Sequence, residues 1–301
     1  MMILACLPAM PSAAQMPMTP ANLDHFDAQK RTVVLGNSQL LAYLDIGRRD
    51  ASPLVLIHGY TDSARDWAPI APLLRLHSRL IIVDLRGHGA SGKPDCCYSR
   101  FDFAYDIKLL LDSLHLEQAS IVGHSLGSIV AQTFAELWPG YTRRLVLISS
   151  TGTSFGGTSQ PDGAAASPMP GWLAGIARLH DPIDPDSDFM RDWWKVSIAF
   201  NAEFARRQRH DAAAIPARVW RAIAEQSLLG VDLRPMLPQV QARTLLIWGG
   251  KDTLVSDAGR EALRAGIPRV QVRMFPSLGH DLFWEDPRAV AAVLIDFLAQ
   301  N

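Results

Sequence analysis

The sequence predicts an α/β protein with a mostly parallel central sheet, helices on both faces and an inserted helical segment. Short continuous apolar runs alternate with helical patterns in the first half and again near the end of the chain. A middle stretch carries helical patterns and no strand signal. Buried strands that alternate with helices require right-handed crossovers, which place the strands parallel in one sheet covered on both faces.

The first half supplies most of the predicted strands. Two runs around Gly36 and Asn37 predict a hairpin, because both residue types tolerate turn conformations. The next apolar runs are continuous rather than alternating, as expected of strands buried on both faces. The predicted strands are 31–35, 40–46, 53–57, 80–83, 119–122 and 145–148, and the predicted helix between the fourth and fifth is 101–114.

The pattern changes after Ser150. Residues 151–170 are rich in Gly, Ser, Ala and Pro, which is typical of a linker. Helices are predicted at 188–207, on the four-residue spacing of Val196, Phe200 and Phe204, and at 217–229, which Pro216 opens. Strands resume at 244–248 and 270–275, before a final helix at 287–299. We therefore divide the chain into an N-terminal arm (1–28), a core (29–150 and 241–301) and a helical cap insertion (151–240).

Composition narrows the classes of function. The chain has 301 residues, 48% hydrophobic and 20% charged, with a formal net charge of -1. Because no basic surface is implied, nucleic acid is not an expected partner. There is no zinc-type His or Cys spacing, no Walker motif and no dinucleotide glycine pattern, so we expect no metal and no cofactor. No stretch approaches the roughly 18 apolar residues of a membrane span.

The first fifteen residues resemble a short, atypical signal peptide. They are apolar and end in small residues around Ala14, but no Lys or Arg precedes the apolar part. Export to the periplasm or medium and a cytoplasmic location with an unstructured arm both stay open. Cys6 lies in this stretch, and the other two cysteines, Cys96 and Cys97, are adjacent. Adjacent cysteines do not make an ordinary disulfide framework, so we expect free thiols, with a vicinal disulfide as the alternative.

Residues 123–127, Gly-His-Ser-Leu-Gly, lie between a predicted strand and a predicted helix. A serine at such a corner takes a strained backbone, and the turn leaves no room for a Cβ at Gly123 or Gly127. The hydroxyl of Ser125 is then exposed above the sheet, with the N–H of Leu126 at the positive end of the helix. The pentapeptide predicts a nucleophile at this corner.

Three further strand ends carry chemically suggestive groups. His58-Gly59-Tyr60 follows one predicted strand, a G-x-x-D segment ending at Asp252 follows another, and Gly279-His280 follows the last. Ligands and catalytic groups in open parallel sheets gather at the carboxyl ends of the strands. The order Ser, Asp, His along the chain suits a nucleophile, an orienting carboxylate and a general base.

The chain resembles the serine-nucleophile, helical-cap members of the α/β-hydrolase superfamily from about Arg31 onwards. The resemblance is carried by H-G-Y, D-L-R-G-H-G-A-S at 84–91, G-H-S-L-G, G-x-x-D and the late G-H, in that order. It implies the α/β-hydrolase fold, a triad of Ser125, His280 and Asp252, and no cofactor. Haloalkane dehalogenases and epoxide hydrolases are disfavoured, because they have an aspartate where Ser125 stands.

Each predicted group has a chemical role. An imidazole, with an ordinary pKa of about 6.5, can take the serine proton during attack and return it to the leaving group. Asp252 would fix the tautomer of His280 and stabilise its cation. The backbone N–H groups of Leu126 and Tyr60 would hold the oxyanion, at about 3 kcal/mol per donor.

Each of these residues also has a simpler structural interpretation. Asp252 could be only a turn residue, His280 an ordinary surface or core histidine, and Asp257 is expected to cap the next helix. The side chain of Tyr60 could donate to an oxyanion, contact substrate or only pack. Structural hydrogen bonding is expected of His58, His88, His124 and Asp84, with His58 and Asp84 shaping the oxyanion loop.

The predicted cap insertion, residues 151–240, is rich in aromatic residues. Most should be ordinary packing, and the rest would form a hydrophobic acyl pocket over Ser125, which favours an apolar ester or lactone. The candidate pocket residues are Trp172, Trp193, Trp194, Phe200 and Trp220.

The sequence thus favours a serine hydrolase of carboxylesterase, lipase or lactonase type acting on a small molecule. Carbon–carbon bond hydrolases and cofactor-free haloperoxidase-like enzymes share the triad and stay as alternatives. A small-ligand receptor on the same fold is the non-enzymatic alternative.

Overall fold

The computed structural model describes residues 18–154, 171–195 and 200–300. The predicted signal peptide and most of the predicted linker lie outside these ranges. Among the described residues, no helix is both long and apolar enough to cross a membrane.

An eight-stranded sheet forms the centre of the molecule, in the order β1-β2-β4-β3-β5-β6-β7-β8. β1 and β2 form the predicted hairpin, β2 pairs antiparallel with β4, and the other neighbours are parallel. The strands are β1 (Arg31–Val34), β2 (Leu40–Gly47), β3 (Pro53–Ile57), β4 (Arg79–Asp84), β5 (Ala119–His124), β6 (Thr142–Ile148), β7 (Arg243–Gly249) and β8 (Val270–Phe275). The prediction of a mostly parallel sheet is confirmed.

Helices are distributed along the whole chain. The described α-helices are α1 (Pro20–Asp27), α2 (Ala71–Leu74), α3 (Arg100–Ser113), α4 (Leu126–Leu137), α5 (Gly171–Ala177), α6 (Asp188–Trp193), α7 (Ala202–Ala213), α8 (Ala217–Ile223), α9 (Asp257–Gly266), α10 (Leu282–Glu285) and α11 (Pro287–Ala299). Short 3₁₀ turns lie at Ala64–Trp67, Pro139–Tyr141 and Arg234–Gln239, and a π-helical turn, Ala224–Leu228, continues α8.

Continuous apolar strands build the core. The side chains of Leu54, Val55, Leu56 and Ile57 in β3 are all essentially inaccessible to water, and so is most of α4. Each fully buried aliphatic side chain of this kind stabilises the fold by about 1.5–3 kcal/mol. The carboxyl ends of β3, β5 and β7 therefore sit on a rigid base.

The segment between β6 and β7 holds α5 to α8, and we call its described part, residues 171–195 and 200–240, the cap segment. The prediction of one helix over 188–207 is wrong. α6 ends at Trp193. Asn201 has an extended backbone with a φ of -162°, and its side chain accepts a 2.9 Å hydrogen bond from the N–H of Phe204. Asn201 therefore starts a new helix. Val196 lies outside the described residues.

Two smaller expectations are also corrected. Ser256, not Asp257, caps α9, because its hydroxyl accepts a hydrogen bond from the N–H of Gly259. Cys96 and Cys97 form a vicinal disulfide rather than free thiols. Cys97 has a positive φ of 75°, which is uncommon for a residue with a side chain.

Candidate active site

Ser125 occupies a strained corner between β5 and α4. Its φ of 51° and ψ of -118° are unusual for a residue with a side chain. A Cβ on Gly123 would lie 2.0 Å from the carbonyl oxygen of Gly127, and one on Gly127 would lie 2.3 Å from that of Ile57. The turn therefore requires glycine at both positions, which is the steric reason for the G-x-S-x-G pattern.

Two backbone N–H groups are available beside this serine. Leu126 is the first residue of α4, where no intrahelical acceptor exists. Tyr60 follows β3, and its N–H has no hydrogen-bond acceptor among the residues that the structure describes. The N–H of Ser125 itself is engaged, because it donates to the carbonyl of Ile148 at 3.0 Å.

His280 and Asp252 form a hydrogen-bonded pair. The Nδ1 atom of His280 lies 2.9 Å from Oδ2 of Asp252, whose carboxylate is fully buried. Burial alone would raise the pKa of Asp252, but the hydrogen bond and charge of His280 and the N–H of Leu254 hold it below its ordinary value. The carboxylate is thus ionised and accepts a hydrogen bond from the Nδ1–H group. Nε2 is then the ring nitrogen that can take a proton from Ser125.

The backbone of His280 is also held. Its carbonyl oxygen accepts hydrogen bonds from Oγ of Ser149 at 2.6 Å and from Nε2 of His124 at 3.2 Å. The preceding N–H, of Gly279, donates to Glu285 at 2.7 Å. The loop after β8 is therefore anchored to the strand ends of β5 and β6.

One cavity of about 640 Å³ brings these groups together. Ser125, Asp252 and His280 all line it, with Tyr60 beside them. The cap segment contributes Trp172, Asp192, Trp193, Trp194 and Leu228, and the core adds Asp62, His124, Lys251, Thr253, Leu254, Gly279, Asp281 and Trp284. The structure therefore places the three candidate triad residues, far apart in sequence, in one cavity at the carboxyl edge of the sheet.

Two candidate pocket residues do not line this cavity. Trp220 is completely buried, and its indole N–H donates to the carbonyl of Ala212 at 3.1 Å. Phe200 packs edge-to-face on Phe204. Both are packing residues, because Trp220 lies against Phe189 and Trp193 and Phe200 lies against Phe204.

The hydroxyl of Tyr60 donates to the carbonyl oxygen of Trp220 at 2.5 Å. It therefore connects the loop after β3 to α8, and only the backbone N–H of Tyr60 can face an oxyanion. Sequence reasoning missed Trp284 and Asp62 in the cavity lining. Trp284 lies in the short helix that directly follows His280, and this closeness in sequence is the signal that could have found it.

A family comparison decides the class of protein. Residues 52–287 match the family model of the alpha/beta hydrolase fold. The chain belongs to the α/β-hydrolase family. It is an enzyme of the hydrolase type.

Individual relatives show how varied the chemistry of similar proteins is. A 2-hydroxy-6-oxononadienedioate/2-hydroxy-6-oxononatrienedioate hydrolase from Pseudomonas putida is 30% identical over 275 residues, 86% of this chain and 91% of that protein. An esterase from Rhodococcus sp. ECU1013 has a TM-score of 0.76 at 22% identity, covering 90% of this chain and 99% of its own. An enol-lactonase from Burkholderia xenovorans LB400 has a TM-score of 0.73 at 20% identity, covering 90% and 100%. The two structures show the shared fold alone.

Other histidines of this hydrolase serve its framework. Nε2 of His58 accepts a hydrogen bond from the N–H of Leu85 at 3.0 Å, and burial lowers the pKa of this imidazole. His88 is likewise fully buried, which lowers its pKa to about 3. Asp84 accepts hydrogen bonds from the N–H groups of Ala64 and Ala90. These residues hold the loops that follow β3 and β4.

A buried acidic group lies behind the nucleophile. Oxygens of Asp62 and Asp66 and a ring nitrogen of His124 lie within 4.8 Å of one another, a spacing that could hold a metal ion. Burial opposes charge on His124, but Asp66, 3.5 Å away, and Asp281 raise its pKa. The carboxylates on either side of His124, Asp66 and Asp281, therefore favour its protonated form.

Proposed function

We propose that this hydrolase cleaves a carboxylic ester or lactone of a small, largely apolar substrate through an acyl-enzyme. The observation that carries the proposal is the 2.9 Å His280–Asp252 hydrogen bond on the wall of the cavity that Ser125 also lines. A nucleophile on a strained corner, a histidine and an ionised carboxylate in one cavity are the parts that acyl transfer requires.

The reaction begins with attack by the hydroxyl oxygen of Ser125 on the ester carbonyl carbon. Nε2 of His280 takes the hydroxyl proton, and the carbonyl π electrons move to the oxygen. The N–H groups of Leu126 and Tyr60 donate to that oxyanion, and the ionised Asp252 stabilises the imidazolium. Collapse breaks the bond to the alcohol, which leaves with the proton from His280.

Water then completes the cycle. His280 takes a proton from water, whose oxygen attacks the acyl carbon, and collapse releases the acid and returns the proton to Ser125. Trp172, Trp193, Trp194 and Trp284 make the cavity walls largely apolar, which suits a hydrophobic acyl or alcohol group.

The decisive experiment compares Ser125→Ala with the wild type on 4-nitrophenyl esters of increasing acyl length and on a set of lactones. We expect kcat to fall about a million-fold for Ser125→Ala and about ten-thousand-fold for Asp252→Asn, as in comparable triads. Ser277→Ala and Asp257→Asn are the matched controls, because both side chains are exposed and outside the cavity. Retained ester hydrolysis in the Ser125→Ala protein would contradict the proposal.

A carbon–carbon bond hydrolase is the second candidate, favoured by the name of the Pseudomonas putida relative. That relative is named for a substrate with two carboxylates, whereas Lys251 is the only Lys or Arg in the described lining of this cavity. Carboxylates are held best by paired cationic donors, so the lining favours the ester reaction. Turnover of a 2-hydroxy-6-oxo-dienoate that outpaces every ester would reverse this ranking. Absence of fluorophosphonate labelling at Ser125 would instead favour a ligand-binding protein.

A further inference from the structure

A second cavity, of about 450 Å³, lies at the amino ends of the parallel strands. Residues at the starts of β6, β7 and β8 line it, whereas Ser125 follows the carboxyl end of β5. The seven residues of β6 span about 23 Å, so a ligand in this cavity would not contact Ser125. We call this second cavity the arginine cavity, after the side chains that dominate its lining.

Four arginines line the arginine cavity, and its described lining contains no Asp or Glu. They are Arg143, Arg144, Arg243 and Arg269. The formal net charge of the whole chain, -1, conceals this local excess of positive charge. A ligand that enters the arginine cavity therefore meets four guanidinium groups.

Arg144 is the buried member of the four. The residue is only 5% exposed, and its Nε atom is buried with no hydrogen-bond partner among the described residues. Its guanidinium lies over the ring of Phe297, 5.4 Å from the centroid. Burial and then the charges of Arg243 and Arg143 lower the pKa of Arg144. A buried cation without an anionic partner is costly, and a bound anion would offset that cost.

The strand register adds repulsion between two of these cations. Arg144 and Arg243 are direct partners in the parallel pairing of β6 with β7, so their backbones lie about 5 Å apart on neighbouring strands. Arg269 is next in line, because its carbonyl accepts a 2.8 Å hydrogen bond from the N–H of Thr244 in β7. Like charges held this close raise the energy of the fold, and a negative charge between them would lower it.

The printed contacts of the outer arginines are with neutral groups. Arg143 donates to the hydroxyl of Ser52 at 2.9 Å, and Arg243 donates to the side-chain carbonyl of Gln300 at 3.3 Å. Asn301, which follows Gln300, has a neutral side chain, and even a terminal carboxylate there would offset only one of four charges. An anionic ligand would therefore supply the charge that the arginine cavity lacks.

The geometry of guanidinium groups indicates which anion fits. A carboxylate has one charge and two oxygens, which a single guanidinium fork satisfies. A phosphomonoester has nearly two charges at neutral pH and three terminal oxygens, so it can pair with several guanidinium groups at once. A cavity of about 450 Å³ is also large enough for a small organic group attached to the phosphate.

From the buried, unpaired guanidinium of Arg144 and the three arginines around it, we propose that the arginine cavity binds a small phosphomonoester. The site is separate from the cavity that contains Ser125, and the proposal does not depend on ester hydrolysis.

The test is calorimetry with phenyl phosphate and with benzoate, in a buffer free of phosphate and at fixed ionic strength. We expect the Kd for phenyl phosphate to be at least tenfold below that for benzoate. Arg269→Met should raise the Kd for phenyl phosphate about fivefold or more. Arg273→Met is the matched control, because Arg273 is also exposed on β8 but lies outside the arginine cavity, and its Kd should stay within twofold of the wild type.

Arg144→Met separates a ligand site from a structural role. Without ligand its melting temperature should equal or exceed that of the wild type, because a buried unpaired charge is removed. Phenyl phosphate at ten times the wild-type Kd should raise the melting temperature of the wild type by about 2 °C and leave that of the variant unchanged. A lower melting temperature with an unchanged ligand shift would mean that Arg144 is only structural, and would contradict the proposal.

A phosphomonoester is also the headgroup of phosphatidic acid, so phosphatidylcholine vesicles with and without this lipid distinguish the two sources. Sedimentation with phosphatidic acid vesicles that Arg269→Met reduces and Arg273→Met does not would assign the phosphate to a lipid. Binding of phenyl phosphate without such sedimentation would assign it to a soluble compound.

Three results would overturn the proposal. The first is equal affinity for phenyl phosphate and benzoate, and the second is an equal Kd for Arg269→Met and Arg273→Met. The third is competitive inhibition of ester hydrolysis by phenyl phosphate at its calorimetric Kd, which would place the ligand beside Ser125. None of these results would affect the proposed ester hydrolysis, which the Ser125→Ala variant tests separately.

Discussion

At the scale of the residue, the backbone conformation of Ser125 requires flanking residues that have no Cβ. Gly127→Ala would place a methyl group 2.3 Å from the carbonyl oxygen of Ile57 and 2.5 Å from that of His58. Both are backbone atoms of β3 and its continuation, so relief requires the strand end to move. We expect a loss of about 2–4 kcal/mol in the free energy of unfolding, measured by urea titration.

Gly140→Ala is the matched control, because a Cβ there meets nothing within 4 Å. Its stability should lie within about 0.5 kcal/mol of the wild type. Equal stability of the two variants would contradict the steric account of the corner.

His88 supplies a pH-dependent part of the stability. Its pKa is about 3 in the folded protein, because burial opposes the charged form, against about 6.5 in an unfolded chain. Between these values the unfolded chain binds a proton that the folded protein does not, so stability falls as the pH falls. The contribution of this one residue approaches about 1.4 kcal/mol per pH unit.

The measurement is the slope of the free energy of unfolding between pH 6 and pH 4.5, roughly the centre of that window. His88→Gln should have a shallower slope than the wild type, and His77→Gln, on an exposed side chain, the wild-type slope. An unchanged slope in His88→Gln would show that another group controls acid stability.

Individual residues also mark how far sequence reasoning reaches. The need for Gly123 and Gly127 follows from local backbone geometry, so five consecutive residues suffice to predict it. Whether Trp220 or Trp284 faces the cavity depends on how helices distant in sequence pack, and both are equally apolar in the sequence. Aromatic content thus predicted a pocket and three of its rings, Trp172, Trp193 and Trp194, but it wrongly included Trp220 and left out Trp284.

At the scale of the element, the hydroxyl of Tyr60 joins the loop after β3 to α8. Tyr60→Phe removes the donor and leaves the carbonyl of Trp220 with only its helical partner, while the ring packing against Trp193 and Trp220 is kept. We expect a loss of about 1–2 kcal/mol in stability, and a lower kcat with little change in KM, because the Tyr60 N–H is held less firmly.

Tyr105→Phe is the control for this change. The ring of Tyr105 is 46% exposed and stacks on Trp138, and the residue lies outside the cavity. Ester hydrolysis by this variant should equal that of the wild type. If Tyr60→Phe raises KM and leaves kcat unchanged, the hydroxyl of Tyr60 would instead contribute to substrate binding.

Element boundaries followed the strength of the local signal. The bounds of β3, β8 and α11 are those predicted, since each begins or ends at a proline, a turn or a sharp loss of apolar residues. The break between α6 and α7 was missed because Phe200 and Phe204 keep helical spacing across it. Asn201 was the available signal, as a cap residue directly before α7.

At the scale of the whole molecule, Arg65 connects three parts of the chain. Its guanidinium pairs with Asp27 of α1 at 2.6 Å and with Asp211 of α7, and its side chain is 10% exposed. Arg65→Met keeps the stem but leaves two carboxylates without this partner. Because both are partly exposed, we expect a loss of about 1–3 kcal/mol in stability.

The control is Arg48→Met, since Arg48 and its partner Asp50 are mostly exposed and their pair should contribute little. The melting temperatures of the two variants should be compared. The ion pairs of Arg65 join α1 to the cap segment, whereas the ion pair of Arg48 is confined to a loop. Equal melting temperatures would show that Arg65 does not hold these parts together.

The overall architecture was predictable because alternating strands and helices allow few arrangements. A parallel sheet places the residues after β3, β5, β7 and β8 at one edge, so Tyr60, Ser125, Asp252 and His280 could be grouped before any coordinates. The acidic group around Asp62 could not, because Asp66, His124 and Asp281 come together only through the packing of loops from different strands.

The four indoles that line the cavity with Ser125 give the enzyme an intrinsic fluorescence signal for ligand binding. They are half of the eight tryptophans in the chain. Because indole emission depends on the polarity of its surroundings, water displaced from this cavity should shift the intrinsic fluorescence spectrum. Ligand occupancy can therefore be followed in unlabelled protein, even for compounds that are never turned over.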